Sequence, residues 1–347
     1  MSRQLISVRD LTVRFRTDEG LVTAVDGASF ELKDGEILGL VGESGSGKSV
    51  MAKSLMQLNA GNTVYGPESR IIMRDGENGG EIDVLSLTSA QELKRIRGGA
   101  ISMIFQEPMT ALNPVQTIGA QVCETLRLRG TPRPEALRIA RDRLDRVGLA
   151  SIPLDRYPHE LSGGMRQRVV IAIAMACEPC LLICDEPTTA LDVTIQAEIL
   201  ALIDRLKREK QIAVLFITHD MAVVAQMADR VVVMYRGDKV EEGPVEQIFE
   251  APREDYTRML LAAVPRLGEM SGKPAPERLR LMRDGTVGKP EPIIVADPKP
   301  LLTVENLVTR FAVKGGIMRR TVANVHAVED VSFTINGGET LSLVGES

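Results

Sequence analysis

The stretch Gly42-Glu43-Ser44-Gly45-Ser46-Gly47-Lys48-Ser49 constrains the fold more than any other part of the chain. It fits G-x-x-x-x-G-K-[ST] in the required context: a short apolar strand over residues 36–41 before it and a helical pattern over residues 48–58 after it. Gly42, Gly45 and Gly47 let backbone N–H groups approach phosphate oxygens closely, and the helix N-terminus adds a fixed partial positive charge. Lys48 is placed to reach terminal phosphates, and the Ser49 hydroxyl to ligate Mg²⁺. With Ser44 these residues make the expected nucleotide cradle. A strand, glycine loop and helix in that order imply an α/β fold of the P-loop type.

The surrounding pattern agrees. Residues 5–15 and 25–32 read as alternating strands, and residues 100–105 as a short apolar one. Residues 117–176 turn helical, with Thr131-Pro132-Arg133-Pro134 as a loop and helix start. Strands at 181–184, 212–217 and 231–235 then alternate with helices at 194–207 and 221–227. Such alternation argues for a parallel sheet flanked by helices, within which residues 117–176 look like an inserted helical subdomain. The first domain is expected over residues 1–250.

Composition excludes several classes. The 347 residues carry a net charge of −5, which gives no basic face for nucleic acid. No apolar run approaches the ~18–20 residues needed to span a bilayer. Met1-Ser2-Arg3-Gln4 is not followed by a signal-peptide apolar region, so a cytoplasmic protein is expected. Four cysteines are too few for a disulfide framework. Cys177, Cys180 and Cys184 cluster, but without a fourth Cys or His at ligand spacing they read as small buried hydrophobes.

Leu181-Leu182-Ile183-Cys184-Asp185-Glu186 is an apolar strand ending in two acids, at the rim where ligands bind in parallel sheets. Asp185 is expected in the Mg²⁺ shell, and Glu186 to polarise the attacking water. In Leu161-Ser162-Gly163-Gly164-Met165-Arg166-Gln167-Arg168, Ser162 is a good N-cap, and Gly163 and Gly164 bare the backbone at a helix start, a second anion cradle. Here the chain resembles the ATP-binding cassette ATPases, whose signature is this LSGGQ-like stretch. The resemblance covers residues 5–250 without a gap and implies the rest of the site. Gln106 matches the Q-loop, with a part in catalysis and the metal shell. Residues 187–192 match the D-loop, with Asp192 as its acid. His219 matches the switch histidine that senses the γ-phosphate, and Phe15 stands where an aromatic stacks on adenine. Met165 replaces the usual Gln and Phe15 the commoner Tyr; neither removes a contact the family relies on. His159 and His326 read as structural or solvated.

In that family ATP lies between two ATPase domains arranged head to tail, the phosphate loop of one facing the signature of the other. For this chain that implies a homodimer of its first domain. Phe105-Gln106-Glu107-Pro108, Tyr157-Pro158-His159-Glu160 and Tyr256-Thr257-Arg258 are similar to the peptide and nickel importer branch. The arrangement is most similar to the fused two-cassette subunits of glutathione importers. The resemblance thus implies ATP hydrolysis driving import of glutathione or a similar small peptide. It also implies transmembrane permease subunits and a periplasmic substrate-binding protein as partners, and a peripheral position on the cytoplasmic face of the inner membrane. Dipeptide, oligopeptide or nickel import stays open. A soluble tandem ATPase working on ribosomes or nucleic acid is the remaining class, which the acidic balance and Pro-rich linker oppose.

Residues 251–300 form a C-terminal extension that passes, from about 268, into a linker rich in Pro, Gly and charge. The beginning then repeats: Leu302-Thr303-Val304, Asn306-Leu307 and Arg310-Phe311 echo Ile6-Ser7-Val8, Asp10-Leu11 and Arg14-Phe15. Val-Gly-Glu-Ser occurs at residues 41–44 and again at 344–347, where the sequence stops short of a second lysine. Residues 301–347 are thus expected to be the truncated start of a second cassette, poorly stabilised and with exposed strand edges.

Overall fold

The computed structural model describes residues 3–74, 80–106, 111–189, 191–264, 268, 271–273, 277, 282–283, 286–287, 299–315 and 320–345. The chain divides into two compact units, Met1–Val264 and Pro265–Ser347.

The first unit opens with an antiparallel hairpin of β1 (Gln4–Thr17) and β2 (Gly20–Lys33). The buried strand β3 (Ile37–Val41) runs into the glycine loop and α1 (Lys48–Ser54). Three short strands, β4 (Thr63–Tyr65), β5 (Arg70–Arg74) and β6 (Glu81–Asp83), complete a five-stranded antiparallel sheet around β1. After α2 (Ala90–Ile96) and β7 (Ile101–Ile104) comes the helical block: α3 (Ile118–Leu128), α4 (Arg133–Arg146) and α5 (Gly163–Ala174). Strand and helix then alternate through β8 (Leu181–Asp185), α6 (Val193–Lys210), β9 (Ala213–Ile217), α7 (Met221–Met227) and β10 (Arg230–Tyr235). The unit ends with β11 (Asp238–Pro244), α8 (Val245–Glu250) and α9 (Asp255–Ala262).

Strands β3, β8 and β9 are five-residue runs, apolar except for Asp185 at the end of β8, and buried on both faces, the pattern of a covered parallel sheet. They lie in a six-stranded sheet ordered β11-β10-β3-β9-β8-β7, parallel except for β11 at the edge. Because side chains alternate across a strand, this sheet feeds two cores. Leu38, Leu40, Leu181, Ile183, Leu215 and Ile217 join the antiparallel sheet and Met51 and Leu55 of the α1 segment. Leu182, Cys184, Val214 and Phe216 face the other way, onto the helices. The unit continues past residue 250: Tyr256, Leu260, Leu261 and Val264 pack against the helical core.

Two local departures from the sequence pattern have physical causes. The helix expected over residues 48–58 stops at Ser54. There the Ser54 hydroxyl donates to the Val50 carbonyl (2.9 Å), and the Asn59 amide reaches back to Val50 O (3.2 Å) and Ser54 Oγ (2.8 Å). Such side-chain bonds compete with continuation of the helix. The block at residues 117–176 holds three α-helices, each with its own start: Thr117 accepts from Ala120 N, Pro132 and Pro134 fix the entry of α4, and Ser162 caps α5.

Within the second unit, strands Pro300–Gly315 and Arg320–Asn336 form an antiparallel hairpin. Asn306 has φ +48° and its N–H donates to Ser332 Oγ at 2.8 Å; in the first hairpin Asp10 has φ +46° and donates to Ser29 Oγ at 2.8 Å. The sequence repeat is therefore a structural repeat, bulge included. Burial differs: Leu11 is fully buried, whereas its counterpart Leu307 is 42% exposed.

Candidate nucleotide site

The loop after β3 is possible only with glycine at two points. Gly42 has φ +148°, and a Cβ there would lie 2.1 Å from the Met234 carbonyl oxygen of β10. Gly47 has φ +98°, and a Cβ would meet the Ala24 carbonyl at 2.3 Å. Both oxygens belong to backbone that cannot yield without breaking sheet structure. Gly45, also at positive φ, and the exposed Ser44 complete the curve, and α1 begins at Lys48. The Lys48 ammonium donates to the carbonyls of Gly42 (2.8 Å) and Glu43 (2.7 Å) and to Ser46 Oγ (3.3 Å). Burial pulls its pKa below the ordinary lysine value, opposed by the charges of Glu186, Asp185 and Glu43.

The two acids of β8 stand beside it. Ser49 Oγ donates to Asp185 Oδ1 at 3.0 Å, joining the loop helix to the strand end. Burial pushes the Asp185 carboxyl above its usual range, partly offset by that hydroxyl. Glu186 is the hub. Its Oε2 accepts from Gln106 Nε2 (3.0 Å) and Thr189 Oγ1 (3.1 Å), and its Oε1 lies 3.0 Å from His219 Nδ1. Burial acts to raise its pKa, but the bonds from His219, Thr189 and Gln106 prevail and hold it below the usual carboxylate range. Lys48, Ser49, Asp185, Glu186, Gln106 and His219, distant in sequence, are thus brought to one rim of the parallel sheet.

The remaining expected site residues sit elsewhere. Phe15 is half-buried on β1, opposite Val22 and Thr63, and packs against the core beneath the antiparallel sheet. Ser162 and Asp192 cap helices: Ser162 Oγ accepts from Met165 N (3.4 Å), Asp192 Oδ1 from Ile195 N (2.9 Å). Gly163 is exposed; Gly164 is buried, a Cβ there meeting Ile195 Cγ2 at 2.7 Å. The signature is tied to the acid pair through Gln167, fully buried, whose Nε2 donates to Pro187 O at 2.6 Å.

Three contributors were not assigned roles from sequence: Thr189, Gln167 and Tyr256, whose hydroxyl accepts from Glu43 N at 3.1 Å. Only Gln167 left a signal. It shares a helical face with Val170, Ile171 and Ala174, all buried, so a polar group there required an internal partner.

Hard oxygen donors at Ser49 and Asp185 fit Mg²⁺, which takes one or two protein ligands and completes its shell with water and phosphate. No group of three or more His, Cys, Asp or Glu able to hold a metal occurs among the described residues. A glycine loop with its lysine, a strand-end acid bonded to the Ser after that lysine and a second acid held at the same rim define a nucleotide-binding site of the P-loop class.

Comparison with known proteins narrows this. Residues 25–189 match the ABC transporter family model, and residues 240–285 that of the oligopeptide/dipeptide transporter C-terminal region. Over residues 25–189 the chain carries the cassette of the ABC transporter family. It is 52% identical, over 99% of its length, to the glutathione import ATP-binding protein GsiA of Shigella boydii, and 51% identical to that of Escherichia coli K12. It spans 56% of the length of those relatives. Among solved structures it is similar to the dimeric, ADP- and Pi-bound ATP-binding cassette MJ0796 (TM-score 0.60, 27% identity, 70% of this chain and 99% of that one). It is likewise similar to cbiO1 of Clostridium perfringens, part of the cbiONQ transporter complex (TM-score 0.61, 26% identity, 77% and 98%).

Proposed function

We propose that this chain hydrolyses ATP to drive import of glutathione or a closely similar small peptide through a membrane permease. The observation that carries the hydrolytic part is the convergence of Lys48, the Ser49–Asp185 pair and the triply held Glu186 carboxylate. The loop amides and Lys48 bind the β- and γ-phosphates, and Phe15 stacks on the adenine. Ser49, Asp185 and Gln106 would hold Mg²⁺, which when bound neutralises phosphate charge. Glu186 takes the role of general base toward water, and His219, bonded to that carboxylate, reports the γ-phosphate. Ser162, Gly163, Gly164 and Asp192 complete the site of a second cassette rather than their own, closing a helix N-terminus over the γ-phosphate.

The small-peptide reading rests on the names of the relatives and on the matched C-terminal region. An apolar cavity of about 220 Å³, lined by Met56, Met103, Phe105, Leu112, Val170 and Ile173, lies next to the Q-loop. Among the described residues no helix is long and apolar enough to cross a membrane. The chain is assigned to the cytoplasmic face of the inner membrane, working with permease subunits and a periplasmic substrate-binding protein. Residues 301–347 are read as the start of a second cassette, a reading supported by the repeated hairpin.

Two variants test the chemistry. Lys48→Ala should lose nucleotide binding, whereas Glu186→Gln should keep it while turnover falls by about 10²–10⁴. Wild-type turnover in Glu186→Gln would remove Glu186 from its role. For the substrate, ATPase stimulation in the complete transporter should follow the glutathione-loaded binding protein; stimulation by dipeptide or Ni²⁺ alone would reassign it.

A further inference from the structure

We propose that Tyr256 is a positioning residue for the phosphate loop, and that the segment at residues 253–262 acts through it as a clasp on nucleotide binding. The inference rests on the reading of residues 42–49 as the phosphate cradle. Tyr256 Oη accepts from the Glu43 amide at 3.1 Å. Glu43 is the second residue of the loop, and its carbonyl accepts from Lys48 Nζ (2.7 Å) and Ser46 N (3.2 Å). Tyr256 therefore fixes one end of the residue whose other end holds the phosphate-binding lysine.

The phenol is itself firmly placed. Its ring lies against that of Tyr235 at the end of β10, with centroids 4.2 Å apart. Two residues on, the Gly237 amide donates to the Ser46 carbonyl at 3.2 Å, so the β10–β11 turn holds the later limb of the loop. The start of α9 is pinned by the buried Glu241 carboxylate of β11. It accepts from the Arg253 and Glu254 amides (2.9 and 3.2 Å) and from Gln247 Nε2 (3.0 Å) of α8. Burial raises the Tyr256 pKa, so the group beside the phosphate cradle stays neutral. All of these residues from Glu241 onward lie outside the 25–189 match and inside the 240–285 match, so the C-terminal region reaches into the nucleotide site.

Tyr256→Phe keeps the ring and its stacking and deletes only the acceptor. Titration of the full chain with a fluorescent ATP analogue should show binding about two- to tenfold weaker in Tyr256→Phe. The melting temperature without nucleotide should stay within about 2 °C of wild type. Unchanged affinity in Tyr256→Phe overturns the proposal, as does a loss of affinity matched by a comparable loss of stability in the nucleotide-free chain. Lys48→Ala serves as the reference: if it binds the analogue as well as wild type does, the reading of the loop fails and the inference with it.

Discussion

At Glu186 the backbone is as unusual as the side chain. Its φ of +49° is a left-handed conformation that costs a non-glycine residue of order 1–3 kcal/mol, held here by the Glu186 N–H donating to the Ile217 carbonyl at 2.9 Å. The turn aims the carboxylate at Gln106, Thr189 and His219, whose hydrogen bonds favour its ionised form. A carboxylate with a depressed native pKa contributes stability that is present above its unfolded pKa and is lost as pH falls through the native one. The acid limb of ATP turnover should accordingly lie below the ordinary glutamate range, and Thr189→Val should move it upward; coincident pH–rate profiles for the two proteins would contradict this. That Lys48, Ser49, Asp185 and Glu186 converge was legible because each sits at a fixed local spacing in its motif. The roles of Thr189 and Tyr256 were not: Tyr256 meets Glu43 from 213 positions away.

Among the elements, α5 carries the most constraint in the least length. It starts with two glycines, yet only Gly164 is enforced by packing, against Ile195 near the start of α6. Gly164→Ala should destabilise the first unit by about 1–3 kcal/mol through overpacking, and Ile195→Ala should recover part of that loss in the double variant. Additive effects in chemical denaturation would mean that the two side chains do not press on one another. The buried apolar strands and α7 were readable because composition and period agreed. Strands β4, β5 and β6 were not readable, since their short runs mix polar with apolar residues and acquire their register only from β1 and from each other. For the same reason α9 stood in the sequence only as a short motif, although its burial joins it to the main core.

For the molecule as a whole, the proposed pairing of two cassettes makes activity a property of association. Turnover of the isolated chain should rise more steeply than in proportion to its concentration and approach proportionality once dimers saturate. Strict proportionality from the lowest concentration would oppose a shared site. The parallel sheet flanked by helices followed from the alternation of strand and helix, whereas the bulge shared by the hairpins at Asp10 and Asn306 could be inferred only as a repeated stretch of letters. One feature of the central sheet bears on how such a chain comes into being. Strand β3, which delivers the phosphate loop, pairs Ile37 with Val214 on one side and Val41 with Val233 on the other. On a ribosome adding about 5–20 residues per second, β3 emerges roughly ten to forty seconds before either neighbour exists. The oldest strand of the central sheet therefore waits, unpaired, for two of its latest, and the interval belongs to whatever chaperones the nascent chain.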